Sequence, residues 1–370
     1  MSKVYFTDFR TSLNENVPQK LLRLIKKAGI EDIDFNKKFA AIKIHFGEPG
    51  NLAFLRPNFA KVVADEVKAL GGNPFLTDCN TLYVGRRKNA LEHLESAQEN
   101  GFSPLSTGCQ MIIADGLKGT DETYVKISGE NIKHIKEAKI GTAVMDADIV
   151  ISLNHFKGHE SAGFGGAIKN IGMGCGSRAG KMEMHYSGKP VVKTKYCVRC
   201  RMCFKNCAFG AISFPAPEKK AEINQDKCVG CGRCIGSCNF DAISPKNDSS
   251  NLLLNEKMAE YSLAVLQNRP SFHINIINNV SPYCDCHAEN DAAIVPDIGM
   301  LAFFDPVALD MACADLVNKA TPIPNSALGE SKRDLHDHFK NIFPDTDWMS
   351  CLTHAEKIGV GEIKYELVQI

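Results

Sequence analysis

The sequence predicts an α/β fold, a mostly parallel sheet with helices on both faces, into which a small cysteine-rich α+β unit is inserted. Two observations carry this. Strand-like and helix-like segments alternate before residue 160 and again after residue 250, the βα pattern of a two-sided, largely parallel sheet. Between them, residues 191–245 carry eight cysteines in an internal repeat and are far too few to account for a chain of 370 residues.

Residues 4–6 read as a short strand, and 17–28 as an amphipathic helix with Leu21, Leu22 and Ile25 on its apolar face. Residues 39–44 read as a buried strand. A helix over 57–70 opens with proline in its first turn and closes at Gly71-Gly72. Strands are expected at 74–76, 110–114 and 148–153, with a helix near 86–99 between the first two. Beyond the cysteine-rich unit, 273–277 and 292–295 read as strands, 306–317 as a helix and 365–370 as a last strand. The stretch 245–250, rich in proline, asparagine, aspartate and serine, reads as an exit linker. The part after it has few strands and would make a thin core alone, so 1–190 and 246–370 are read as two parts of one α/β domain around a unit at 191–245.

The cysteines of that unit are spaced Cys197-x2-Cys200-x2-Cys203-x3-Cys207 and Cys228-x2-Cys231-x2-Cys234-x3-Cys238. Three closely spaced thiolates wrap one face of an iron–sulfur cubane and the fourth ligand must come from elsewhere, so each half lends its last cysteine to the other half. Cys197, Cys200, Cys203 and Cys238 are assigned to one [4Fe–4S] cluster, and Cys228, Cys231, Cys234 and Cys207 to a second. The repeat has an offset of 31 residues and extends past the cysteines: Phe209, Ala211, Ile212 and Ser213 recur as Phe240, Ala242, Ile243 and Ser244. The unit resembles a bacterial-type two-cluster ferredoxin domain, with Ala208 and Asn239 where that pattern carries proline. Zinc ribbons, the alternative, use two Cys-x2-Cys pairs across a longer loop and need no third and fourth thiol packed in this way.

Lysine plus arginine (43) equals aspartate plus glutamate (43), and no basic run occurs, so no nucleic-acid partner is expected. No apolar leader opens the chain, and no stretch approaches the roughly 20 apolar residues of a membrane span. A soluble, cytoplasmic protein is expected. Fifteen cysteines without a secretion signal fit metal binding in a reducing compartment better than disulfides.

Open α/β sheets bind ligands beyond the carboxyl ends of their strands. Those loops are polar here: His45-Phe46-Gly47-Glu48, Asp78-Cys79-Asn80, Asn154 to Glu160 with His155, Lys157 and His159, and Tyr283-Cys284-Asp285-Cys286-His287. If the strands are parallel, the loops converge on one edge. His45, His155, His159 and Lys157 are the candidates for binding or proton transfer there, with metal ligation and plain hydrogen bonding left open. The run from Gly163 to Gly176 holds six glycines in 14 residues. One reading is a nest of amides for an anion, built around Gly165, Gly166, Gly172 and Gly174 with Lys169 adding charge. The other is a tightly packed helix–strand crossing. Cys284-x-Cys286, with Cys175 from the glycine-rich run, is a candidate for a further metal site or a redox-active thiol pair, or for simple packing. Cys109, Cys313 and Cys351 sit in apolar surroundings and read as structural.

Taken together, the chain resembles the domain-of-unknown-function family three-six-two, iron–sulfur centre proteins. The stretches that carry the resemblance are Lys43-Ile44-His45-Phe46-Gly47-Glu48, Thr77-Asp78-Cys79-Asn80, Asn154-His155-Phe156-Lys157-Gly158-His159-Glu160, Gly172-Met173-Gly174-Cys175-Gly176-Ser177-Arg178, Cys284-Asp285-Cys286-His287 and Pro296-Asp297-Ile298-Gly299-Met300. The resemblance implies cluster binding and electron transfer and offers no substrate.

The expected function is a relay in which two [4Fe–4S] clusters pass single electrons from a soluble carrier protein to a redox site in the α/β domain, an oxidoreductase acting on an unidentified small molecule. An additional metal or a flavin is left open, although no fingerprint for a flavin or nicotinamide is present. The alternatives are a non-enzymatic electron carrier or docking partner, and a metal-assisted non-redox enzyme in which the clusters are structural.

Overall fold

The computed structural model describes residues 1–82, 85–185, 189–228, 230, 232–240, 242–245, 250–331, 333 and 336–370. Its centre is an eight-stranded sheet. In chain order the strands are β1 (Ser2–Asp8), β2 (Phe39–Lys43), β3 (Asn73–Asp78), β4 (Gln110–Ile113), β5 (Ile149–His155), β6 (Ser271–Ile277), β7 (Gly299–Phe303) and β8 (Tyr365–Gln369). They lie in the order β8-β1-β7-β6-β5-β2-β3-β4. Strands β6, β5, β2, β3 and β4 pair in parallel, as do β1 and β8, while β7 runs antiparallel to both β1 and β6. Strands from before residue 160 and after residue 270 therefore share one layer.

Side chains alternate across the sheet because successive residues of a strand point to opposite faces. In β5, Ile149, Ile151 and Leu153 join the core under helices α1 (Val17–Lys27) and α2 (Pro57–Ala69), whereas Val150 joins the core on the other face. Helix α1 starts with a capping box on Asn16 and carries Pro18 in its first turn, which fixes where the chain leaves the loop. Helix α3 (Ala90–Glu99) follows the β3 loop. The opposite face is covered by α4 (Ala167–Cys175), α6 (Asn251–Leu266), α7 (Pro306–Lys319) and α8 (Trp348–Lys357), with α5 (Arg178–His185) following α4 in the chain. The result is a mostly parallel sheet with helices on both faces.

Two readings of the sequence change. Residues 292–295 form no strand; Ile294 and Val295 are buried, but Ile294 bonds through single backbone contacts to Val280 and Ile323, and the ladder position is taken by β7. Helix α6, unforeseen, is buried along most of its length between neighbouring helices, so it lacks a polar face that would mark it.

The cysteine-rich segment forms two short antiparallel ladders, Pro190–Val192 with Ile243–Pro245 and Ile212–Ser213 with Glu222–Ile223, and two short helices, Met202–Asn206 and Arg233–Gly236. The first ladder ties its entry to its exit. Its small apolar core includes Leu82 and Met182 from the main body. Of the expected exit linker, residues 246–249 lie outside the described residues.

Candidate functional site

Because β2, β3, β5 and β6 point the same way, the segments that follow them meet at one edge of the sheet. They enclose a cavity of about 750 Å³, in the size range of small-molecule sites. His45, His155, Lys157, His159, Lys169, Gly174, Cys284 and Cys286 all line it. Lys43, Asp78, Arg87 and Lys181 line it as well; the sequence placed Asp78 in a polar loop but named none of the four as a site residue.

The strand ends supply a buried charge network. Lys43, the last residue of β2, lies 3.0 Å from Asp78 at the end of β3 and donates to Asn170 Oδ1 at 2.7 Å. Burial would raise the Asp78 carboxyl, but Lys43 and His93 beside it hold it well below the usual range. Arg87 donates to Glu48 at 2.8 Å and to His45 Nε2 at 2.9 Å. Burial and the Arg87 guanidinium keep the His45 imidazole neutral.

His155 is fully engaged. Its Nδ1 lies 2.8 Å from Asp285 Oδ1 and its Nε2 2.7 Å from the Asn278 carbonyl, so both ring nitrogens donate and neither is left for proton exchange with a ligand. Burial opposes the charge on Asp285, yet His155 and Lys157, 3.8 Å away, hold it ionised far below the usual range. Of the roles left open for His155, plain hydrogen bonding is the one these contacts describe: it positions the Asp285 loop. His159 differs. Its Nδ1 accepts from the amides of Ser161 and Ala162, which places its proton on Nε2, and burial with Lys169 pushes its pKa down to about 4.

At the cavity wall Lys169 Nζ lies 3.3 Å from the Cys284 sulfur, with Cys286 two residues along the same loop. Cys286 and then the Lys169 and Lys157 charges overcome burial and hold Cys284 as the thiolate, while Cys286 remains the protonated partner. Cys175 takes no part in this pair. It is buried in the apolar core, does not line the cavity, and burial pushes its thiol up to about 11. Among the described residues no group of three or more His, Cys, Asp or Glu is placed to hold a metal ion.

The glycine-rich run is mainly a packing device. At the start of α4 the amides of Ala167 and Ile168 donate to the buried Asp310 carboxylate at 2.7 and 2.9 Å, so the proposed anion cradle is filled from within the chain. Gly166 makes room for that carboxylate: a Cβ there would sit 2.2 Å from Asp310 Oδ1. Gly172 lets α4 approach the backbone of α6, and Gly165 and Gly174 leave space for Lys157 and Lys43. Lys169 and Gly174 face the cavity, whereas Gly165, Gly166 and Gly172 do not line it.

In the cysteine-rich segment, Cys197, Cys200, Cys203 and Cys238 line one small cavity. Cys207, Cys228 and Cys234 line another, and Cys231 lies outside the described residues. The repeat is visible in the backbone. Arg199 and Arg201 have positive φ, as do Gly230 and Gly232 one repeat later. The Ala211 amide donates to Cys207 Sγ at 3.3 Å and the Ala242 amide to Cys238 Sγ at 3.3 Å. Gly232, which lines the second cavity, is packed against Arg178, Met182 and Leu82, and Leu82 also lines the large cavity.

Residues 40–315 match the family described as Domain of unknown function (DUF362). The chain belongs to the DUF362 family. A relative, "Thylakoid-associated protein sll1697" from Synechocystis sp. (strain ATCC 27184 / PCC 6803 / Kazusa), is 28% identical over 127 residues, 34% of this DUF362 chain and 35% of the relative. The match thus spans about a third of that protein's length. Among solved structures, a protein from Thermotoga maritima aligns over 70% of this chain and 50% of its own, with a TM-score of 0.33 and 14% identity. The lactate racemase apoprotein from Thermoanaerobacterium thermosaccharolyticum aligns over 78% and 55%, with a TM-score of 0.35 and 12% identity. Likeness at this level assigns no chemistry to the DUF362 chain.

Proposed function

We propose that this DUF362 chain is an iron–sulfur protein that relays single electrons through two [4Fe–4S] clusters to a redox site in the large cavity. The observation that carries the reading is how the cysteines sort. Spacing alone pairs Cys238 with Cys197, Cys200 and Cys203, and Cys207 with the second triplet; among the described residues, Cys197, Cys200, Cys203 and Cys238 line one small cavity and Cys207, Cys228 and Cys234 the other. The donor set fits the group. A tetrahedral single-ion site holds its sulfurs about 2.3 Å from the metal, whereas a four-iron cubane sits between its thiolates and keeps them farther apart. That difference is compatible with thiols that line cavities without forming a single-ion site among the described residues. The amides of Ala211 and Ala242, aimed at Cys207 and Cys238, are of the kind that tunes cluster potential. A bound cluster of this kind takes up or gives one electron at a time.

The chain supplies the route and the destination. Gly232, which lines the Cys207/Cys228/Cys234 cavity, neighbours Leu82, which lines the large cavity, and on that ground this set is taken as the proximal one. Of the cations that line the destination, Lys43 and Arg87 are paired with Asp78 and Glu48, while Lys169 and Lys181 are the ones suited to a small anionic substrate. A soluble one-electron carrier protein is the partner that this reading requires.

Anaerobically purified protein should contain about eight irons with matching sulfide and give a paramagnetic resonance signal of reduced clusters after dithionite. The crossed assignment makes a sharper demand. Cys197→Ser with Cys238→Ser should cost no more iron than either change alone, about four atoms, while Cys207→Ser with Cys238→Ser should cost nearly all of it. Zinc in place of iron, or equal losses from the two double variants, overturns the reading.

A further inference from the structure

We propose that Cys284 and Cys286 form a redox-active dithiol that collects the relay's electrons in pairs and reduces a small anionic disulfide bound in the cavity. This rests on the relay reading above and names its destination. A relay of two one-electron centres must meet a two-electron group before it can serve a substrate that changes by two electrons. Besides Cys284 and Cys286, one further thiol among the described residues lines the large cavity, Cys79, and that sulfur is directed to the Cys175 carbonyl at 3.3 Å. Cys284 and Cys286 stand two residues apart in one loop and both line the cavity, which is also lined by Leu82, a neighbour of Gly232 at the Cys207/Cys228/Cys234 set.

The surroundings assign the two sulfurs different work. Lys169, 3.3 Å from Cys284, stabilises a thiolate there, and the thiolate is the form that attacks a disulfide. Cys286, left protonated, is the resolving thiol. Lys157 and Lys169 line the same cavity, and Lys181 lines it as well, so an anionic group on the disulfide has cations to meet.

Atoms and electrons balance in three steps. The Cys284 thiolate attacks one sulfur of the bound disulfide, forming a mixed disulfide and releasing the other half as a thiolate. The Cys286 thiol attacks the Cys284 sulfur, which breaks the mixed disulfide, releases the second half as a thiol once the Cys286 proton has passed to it, and leaves a Cys284–Cys286 disulfide. Two electrons, delivered singly by way of the relay, and one proton then break that bond and restore the Cys284 thiolate and Cys286 thiol. His159, whose Nε2 carries its proton and which lines the same cavity, stands where that proton is handled. Lys169 acts as a positioning residue through its contact with Cys284.

The test uses the anaerobic holoprotein, with iron content and the resonance spectrum recorded on each sample. Treatment with dithiodiglycolate, a small dianionic disulfide, should yield a Cys284–Cys286 cross-link, read by peptide mass spectrometry as the loss of two hydrogens. Photoreduction with deazaflavin should then reopen it in the native protein, and the cross-link should persist in Cys207→Ser. Lys169→Met should fold and slow Cys284 alkylation by iodoacetamide at neutral pH by about tenfold, the effect of one unit of thiol pKa. Absence of the cross-link in a protein whose clusters reduce normally overturns the dithiol and leaves the relay standing. A cross-link that survives alongside fully reduced clusters also overturns it. Absence of any cluster signal overturns the relay on which it rests.

Discussion

His155 shows why residue type alone misassigns a role. A histidine in a loop beyond a buried strand invites acid–base chemistry, yet both of its nitrogens are committed, to Asp285 and to the Asn278 carbonyl, and it holds the loop that carries Cys284 and Cys286. Asp285 is fully buried, so removing it leaves the buried His155 Nδ1 and the nearby Lys157 without their carboxylate partner. Breaking one side of such a pair typically costs about 3–5 kcal/mol. Asp285→Ala should therefore lower the urea midpoint of the holoprotein by an amount of that size and disturb the Cys284 loop with it. A loss below about 1 kcal/mol, the scale of an exposed pair, would mean that the pair does not anchor the loop. His159 keeps one nitrogen free of backbone amides and is the better candidate for proton handling, a distinction that depends on Ser161 and Ala162 amides no sequence pattern reveals.

At the scale of elements, helix α4 sets how closely the cavity wall approaches its neighbours. A Cβ on Gly172 would fall 2.2 Å from the Met258 carbonyl and 2.8 Å from Ser262 Oγ, both on α6. Neither helix can yield without moving the wall that carries Lys169 and Asn170, so Gly172→Ala should destabilise by about 1–3 kcal/mol, measured by thermal unfolding with iron retained. An unchanged melting temperature would show that α4 and α6 are not locked there. The alternation of strands and helices was legible because their apolar periods were clean: α1 and α2 begin and end within one residue of the expected limits. Helix α6 was not, since it is buried along most of its length and the Asn255 amide nitrogen, Glu260 and Ser262 bond to backbone groups inside the fold. Nor was β7, whose five residues lie in a stretch noticed only for its motif. The loops of the site could be named in advance because parallel strands must deliver them to one edge. The inward pairing of Lys43 with Asp78 and of Arg87 with Glu48 could not, because those partners are far apart in the chain.

Across the whole molecule, the same burial that builds the site makes the fold sensitive to acid. His159, His185 and His273 are pushed down to about 4, 3 and 3, each chiefly by burial, and burial also lowers His45 and His93. Below pH 6.5 the unfolded chain accepts protons at these imidazoles that the folded chain refuses, so their contribution is full above 6.5 and lost as the pH falls toward 4. Asp115 and Asp310 oppose this, since burial lifts both to about 6 and the folded state holds their protons down to the unfolded value of 3.8. Five imidazoles against two carboxyls leave an excess of three protons (5 − 2) among these groups, an upper limit of about 4 kcal/mol lost per pH unit between 6 and 4. Urea midpoints at pH 7, 6 and 5 should fall steadily, and His273→Asn, which removes one of the five, should flatten the slope by about 1.4 kcal/mol per pH unit. A profile that is level or rises toward pH 5 would mean that the two carboxyls dominate and that the histidines are solvated in the folded protein.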